Sequence, residues 1–222
     1  MNKQITILPS ILAFDKTQTA SLIKSFNDHQ LNHFHYDIMD GIYVENVAFS
    51  KLEYLDHLLA NNCLVNVHLM VNDPTKWIDQ LIKYKPYAIS FPFELVNSQS
   101  CLALLNKIKD SNIKAGIAIH PSFVLDDYKH LLKDVDYVTF MSVVPGKCGQ
   151  AFLADTYTKL NDLIAFRESS NINFEIELDG GVNFDVIKNT LNQIDYYVSG
   201  SFVVKYVNNL DQFKLEINQI IK

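Results

Sequence analysis

The 222-residue sequence lacks the features that mark secreted, membrane-spanning and nucleic-acid-binding chains. Cysteine is scarce: Cys63, Cys101 and Cys148 are an odd number with no metal-type spacing, so neither a secreted disulfide framework nor a zinc knuckle is expected. No apolar run approaches the roughly 20 residues a membrane span requires. The N-terminal stretch has an apolar patch but no h-region leading to a small-residue cleavage site, so no signal peptide is expected. Basic clusters are also missing: 19 Lys and Arg stand against 25 Asp and Glu, a net charge of -6, which argues against a polyanion as partner. An acidic chain can still hold a phosphorylated small molecule on backbone N–H groups at helix N-termini. Nothing resembles a linker or a disordered tail, and the length suits one α/β unit of roughly 200–250 residues. These absences leave a soluble, reduced, cytoplasmic protein, one domain over 1–222, as the expectation.

What is present is alternation. Short apolar runs recur at Ile5–Leu8, His33–Ile38, Leu64–Leu69, Ala88–Phe91, Ala115–Ile119, Tyr137–Met141, Phe174–Leu178 and Tyr196–Val198. Helical patterns lie between them, for example Thr17–Phe26, Pro74–Tyr84, Leu102–Lys109, Phe152–Phe166 and Val186–Leu191. Asp73 followed by Pro74 is a helix start, a capping side chain before a proline at the first helical position. Strand–helix alternation predicts βαβ units and a parallel sheet. A closed (β/α)8 barrel accommodates eight such repeats; a six-stranded doubly wound sheet is the alternative, weakened because no G-x-G-x-x-G follows the first strand.

The informative residues are polar ones near the C-terminal ends of predicted strands, where barrels build their active sites. Side chains alternate along a strand, so His35, Asp37 and Met39 share one face, as do His68 and Met70, and as do Glu175, Glu177 and Asp179 ahead of Gly180 and Gly181. Buried carboxylates and histidines without partners cost several kcal/mol, so their clustering calls for a metal or for mutual pairing. Two histidines and two aspartates make a mixed N/O set suited to zinc, iron, manganese or cobalt; satisfied core polar residues are the other reading. His33 reads as structural because it sits at a strand start, and Glu177, deeper on the inward face, reads as a core hydrogen-bonding group.

The blocks PSIL (9–12), HYDIMDG (35–41), VHLMV (67–71), MSVVPG (141–146) with Gly149 and Gln150, DGGV (179–182) and SGS (199–201), in this order, resemble the ribulose-phosphate 3-epimerase family over nearly the whole chain. The resemblance implies a (β/α)8 TIM barrel of the ribulose-phosphate-binding type. It also implies one divalent metal ion held by His35, Asp37, His68 and Asp179, with Ser10 binding substrate and Met39, Met70 and Met141 lining the pocket. Inversion of a carbon beside a ketone needs proton removal on one face and return on the other, and Asp37 and Asp179 are the candidate acid/base pair. Phosphate is expected on backbone N–H groups around Gly180, Gly181, Gly200 and Ser201, with Gly146 and Gly149 in a loop that folds over the substrate. The expected partners are a sugar phosphate and further copies of the same chain, with neither nucleic acid nor membrane.

The sequence also departs from the family pattern. Pro92 stands where a histidine is usual, Lys147 and Cys148 replace an aromatic residue and a glycine, Val144 replaces a polar residue, Glu45 a proline and Asn66 an aspartate. These positions belong to the lid and to the surroundings of the ligands, so a related ketose phosphate such as allulose 6-phosphate is a competing substrate. A sugar-phosphate-binding barrel without catalysis is a further alternative. Aldolase or decarboxylase chemistry usually needs a strand-end lysine, and the predicted strand ends supply none.

Overall fold

A computed structural model describes residues 5–221. Its strands are β1 (Thr6–Pro9), β2 (His33–Asp40), β3 (Val47–Ala48), β4 (Leu64–Met70), β5 (Ala88–Pro92), β6 (Lys114–Ile119), β7 (Tyr137–Met141), β8 (Glu175–Asp179) and β9 (Tyr196–Ser199). The helices are α1 (Thr19–Asp28), α2 (Leu55–Ala60), α3 (Pro74–Leu81), α4 (Ser98–Asp110), α5 (Leu125–Tyr128), α6 (Thr156–Ser169), α7 (Phe184–Asn189), α8 (Ser201–Val204) and α9 (Leu210–Ile221). The sheet runs β1-β9-β8-β7-β6-β5-β4-β2-β3, parallel throughout except for the two-residue β3, which turns back against the end of β2. A parallel bridge between Ser10 and His35 joins the first strand to the second and closes the barrel. The expected (β/α)8 architecture is the one observed, and the doubly wound alternative falls with this closure.

Strand parity separates two interiors. Along β2, Phe34, Tyr36 and Ile38 belong to the core shared with the helices, and Phe34 meets Phe26 of α1 edge-on at 6.2 Å. Burying each such side chain contributes about 1.5–3 kcal/mol. The intervening His33, His35, Asp37 and Met39 are equally buried but face the barrel axis, which is polar. At its N-terminal end the barrel is plugged by Lys114, whose Nζ lies 2.5 Å from Glu175 Oε2, beside the rings of Tyr87 and Tyr196. Gly116 is required one layer above, because a Cβ there would lie 2.5 Å from the ring of Tyr137.

Caps account for several helix starts. Asp73 accepts the Thr75 N–H at 3.1 Å with Pro74 behind it, as the sequence predicts, and Asn183 accepts the Val186 N–H at 3.0 Å at the start of α7. Helix α1 begins two residues later than its pattern suggests because the Asp15 carboxylate takes the Thr17 N–H at 2.8 Å and makes a turn of that segment. The pattern at Phe152–Phe166 becomes a helix only from Thr156: residues 151–153 cross the barrel mouth, with the Phe152 backbone packed onto Gly181.

Candidate active site

The C-terminal ends of β2, β4 and β8 bring His35, Asp37, His68 and Asp179 together, with one ligand atom from each lying within 4.8 Å of the others. Parallel register sets this up, for Asp37 is paired with His68 across β2 and β4, and Met141 with Asp179 across β7 and β8. His35 Nε2 is 3.0 Å from Asp37 Oδ1 and 3.5 Å from Asp179 Oδ2. His68 Nδ1 is 3.4 Å from the same Asp37 oxygen and 3.5 Å from the same Asp179 oxygen. The other Asp37 oxygen, Oδ2, accepts the Ser10 hydroxyl at 3.0 Å, so the serine fixes the carboxylate plane.

Charge in this cluster is mutually supported. Burial works against a charged His35, but Asp37, Asp179 and Glu177 outweigh it and hold its pKa well above the ordinary histidine value. Burial likewise opposes charge on His68, and the neighbouring Asp179 and Asp37 carboxylates reverse that effect. Burial pushes the Asp37 carboxyl up, yet the charge of His35 beside it holds it far below the usual carboxylate range. His33, by contrast, is lowered by its burial and makes a 2.7 Å hydrogen bond to Asn66 Oδ1, the structural role read from its position.

These residues fit a divalent cation. His68 Nδ1 is buried without a hydrogen-bond partner and faces the two aspartate oxygens. Around a cation with bonds of about 2.1 Å, ligand atoms lie roughly 3–4 Å apart, and the four histidine–aspartate contacts fall in that range. The donor set, two imidazoles and two carboxylates, suits a borderline transition metal.

Above this floor opens a cavity of about 290 Å³ lined by Ser10, Asp37, Asp179 and the side chains of Met39, Met70 and Met141. Gly146, Gly149, Gly180, Gly181, Gly200 and Ser201 form its rim, so the expected substrate-binding residues surround one space. His35 and His68 lie beneath it, 0% and 1% exposed. Gly180 and Gly181 both take positive φ, +114° and +63°, which lets the chain turn sharply after Asp179. The loop that follows β7 is fastened across the mouth: Asn46 Nδ2 donates to the Gly146 carbonyl at 2.6 Å, and Gln150 Nε2 donates to the Val144 carbonyl at 2.6 Å.

Three contributors escape sequence reading. Ser142 sits with its hydroxyl between the carbonyls of Asp179 (2.9 Å) and Gly180 (2.6 Å), and its N–H donates to Asp179 O at 2.8 Å, holding the turn that carries Asp179. Asn46 and the cavity-lining Lys205 likewise carry no local signal, since each acts across loops distant in sequence. Among the departures, Lys147 is exposed at the cavity rim, 3.8 Å from Glu45, and therefore joins two of the altered positions. Glu94 accepts the Tyr43 hydroxyl at 2.7 Å and lines a neighbouring cleft of about 780 Å³ rather than the cavity over the aspartates. Pro92 closes β5 and is buried. Among the described residues, no helix is long and apolar enough to cross a membrane.

Comparison with known proteins agrees with this geometry. The chain is 34% identical over 201 residues to a ribulose-phosphate 3-epimerase of Mycoplasma genitalium, covering 90% of each chain. It is 32% identical over 225 residues to one of Buchnera aphidicola, covering 100% of this chain and 95% of that one. A tryptophan synthase alpha-subunit of Pyrococcus furiosus superposes with a TM-score of 0.65 at 11% identity, covering 99% of this chain and 98% of that one, a likeness of fold alone. A sequence model described as the Ribulose-phosphate 3 epimerase family matches residues 6–204. The chain therefore belongs to the ribulose-phosphate 3-epimerase family.

Proposed function

We propose that this enzyme interconverts D-ribulose 5-phosphate and D-xylulose 5-phosphate by inverting C3. The observation that carries this reading is the convergence of two carboxylates from different strands, Asp37 and Asp179, with two histidines on the floor of a methionine-lined cavity. One aspartate removes the C3 proton from one face of the ketose, giving an enediolate. The other aspartate returns a proton to the opposite face, and the roles exchange in the reverse direction. Ser10 orients Asp37 through its hydroxyl. The thioethers of Met39, Met70 and Met141 exclude water from the reacting carbon without competing for protons. Backbone N–H groups of Gly180, Gly181, Gly200 and Ser201 are suited to the phosphate, with Gly146 and Gly149 in the covering loop. His35, Asp37, His68 and Asp179 would hold one divalent ion, zinc, iron, manganese or cobalt, which when bound supplies Lewis-acid stabilisation of charge on the sugar oxygens.

The test is exchange of the C3 proton of D-ribulose 5-phosphate with deuterated solvent, measured together with epimer formation. Asp37→Asn and Asp179→Asn should each abolish turnover, and His68→Ala should lose metal as well. Near-normal epimerisation in both directions by either Asn variant overturns the two-base assignment. A second reading, 3-epimerisation of a six-carbon ketose phosphate, is favoured by the altered lid residues Lys147 and Cys148, both at the cavity rim. A strong kcat/KM preference for allulose 6-phosphate would select it.

A further inference from the structure

Glu177 lies beneath the aspartate–histidine cluster, and the reaction as described does not use it. It stands two residues before Asp179 on β8, so strand parity turns both side chains to the barrel axis, and it is 0% exposed. Its Oε2 accepts the Asn66 amide N–H at 2.6 Å and its Oε1 accepts the Thr139 hydroxyl at 2.9 Å. With the Thr139 proton committed to Glu177, the 2.8 Å contact between Ser90 and Thr139 must have Ser90 as donor. A carboxylate accepts and cannot donate, so the Asn66 NH2 must face Glu177 and its oxygen must face His33, which donates from Nε2 at 2.7 Å. The acceptor-only character of Glu177 therefore sets the direction of a buried relay running Ser90–Thr139–Glu177–Asn66–His33.

On the cluster side of this relay, one imidazole nitrogen lacks a partner. His35 Nδ1 is buried with no hydrogen bond, and Glu177 Oε1 lies 3.4 Å from it. The opposite ring nitrogen, Nε2, faces Asp37 and Asp179. An imidazole that offers a lone pair to a cation from Nε2 must keep its proton on Nδ1, and the acceptor of that proton fixes both tautomer and ring plane. Both side chains are 0% exposed, so bulk solvent does not reach this position, and Glu177 Oε1 is the carboxylate oxygen beside Nδ1.

We propose that Glu177 is a positioning residue: it holds the Nδ1 proton of His35, so that Nε2 is presented as a cation ligand beside Asp37. This deepens the proposed function and rests on its assignment of His35 as a ligand. The neighbours of Glu177 explain why a carboxylate is needed at this depth. Two neutral donors, Asn66 and Thr139, fill part of its accepting capacity, and the remainder points at His35. The asparagine at position 66, a departure from the family pattern, lets this chain link Glu177 to His33 with a donor rather than a second carboxylate.

The experiment compares the wild type with Glu177→Gln and with the exchange variant Glu177→Gln/Asn66→Asp. The exchange variant restores one donor–acceptor pair between the two positions, so it keeps the fold if the single variant does not, while His35 faces a neutral amide in both. Zinc affinity, read by chelator competition, should fall roughly 10–100-fold in both variants. The Nδ1–H proton resonance of His35, assigned by 15N-histidine labelling in metal-stripped protein, should move upfield in both. Variants that bind zinc within about two-fold of the wild type and leave the His35 resonance unmoved overturn the proposal, and Glu177 is then a structural plug. If the wild type binds no divalent cation, the reading of the four residues as a metal site fails, and the proton resonance still decides whether Glu177 holds His35.

Discussion

Replacing Gly180 with alanine tests how tightly the turn behind Asp179 is specified. The backbone there has φ +114°, and an added Cβ would lie 2.3 Å from Val143 Cγ2, 2.8 Å from Cγ1 and 3.0 Å from Cβ. Carbon atoms in contact prefer about 3.5–4.0 Å, so the methyl cannot enter without displacing Val143, itself buried in the segment after β7. Holding an L-residue at this φ costs about 1–3 kcal/mol, and overpacking a filled site costs about 1–3 kcal/mol more. Gly180→Ala should therefore lose about 2–6 kcal/mol, a fall in Tm of roughly 4–24 °C for a chain of this size. Urea denaturation of Gly180→Ala, Val143→Ala and the double variant separates the two contributions. Val143→Ala removes both γ carbons, so the double variant should be less destabilised than the sum of the singles by at least about 1 kcal/mol, leaving the backbone strain in place. Because Asp179 precedes the turn, C3 proton exchange by the folded variant should also drop. A loss below about 1 kcal/mol, or additivity within about 0.3–0.5 kcal/mol, would refute the steric reasoning.

Two further outcomes follow from single side chains. Cys148 is the exposed thiol of the three, and its sulfur would lie 2.8 Å from a Cβ at Gly200, so alkylation by iodoacetamide should inactivate the enzyme and a bound sugar phosphate should slow it. Desolvation pushes this thiol above its ordinary value against the opposing N–H of Ser201, so the alkylation rate should be low at neutral pH and climb above pH ~9; fast labelling at pH 7 without substrate protection contradicts this. Asp40 accepts the backbone N–H groups of Ile42 (2.8 Å), Tyr43 (3.0 Å) and Asn72 (2.7 Å), tying the loops after β2 and β4, and Asp40→Ala should cost about 1–2 kcal/mol near neutrality, allowing for its partial exposure. Burial pushes the Asp40 carboxyl up, but those N–H donors outweigh it and hold it below its ordinary value. Its contribution is thus complete above pH ~4 and lost as pH falls through the folded value, so the stability gap between wild type and Asp40→Ala should close in acid and not in base.

Strand–helix alternation gives the βαβ units, and period-two parity puts His35, Asp37 and Met39 on one face of β2 and Glu177 and Asp179 on one face of β8, because side-chain direction along a strand is a local property. The Asp73–Pro74 cap is local in the same sense. The start of the helix within the Phe152–Phe166 pattern, the anchoring of Asp179 by Ser142 and the direction of the relay through Asn66 are legible only in three dimensions, since each depends on a partner from another strand or loop. Tertiary structure alone also decided that β2, β4 and β8 present their polar ends to one another. The Ser10–His35 bridge closes the sheet, and parallel register then levels Asp37 with His68. Hydrogen-bond register between distant strands is set by closure of the whole barrel, and no single strand carries it.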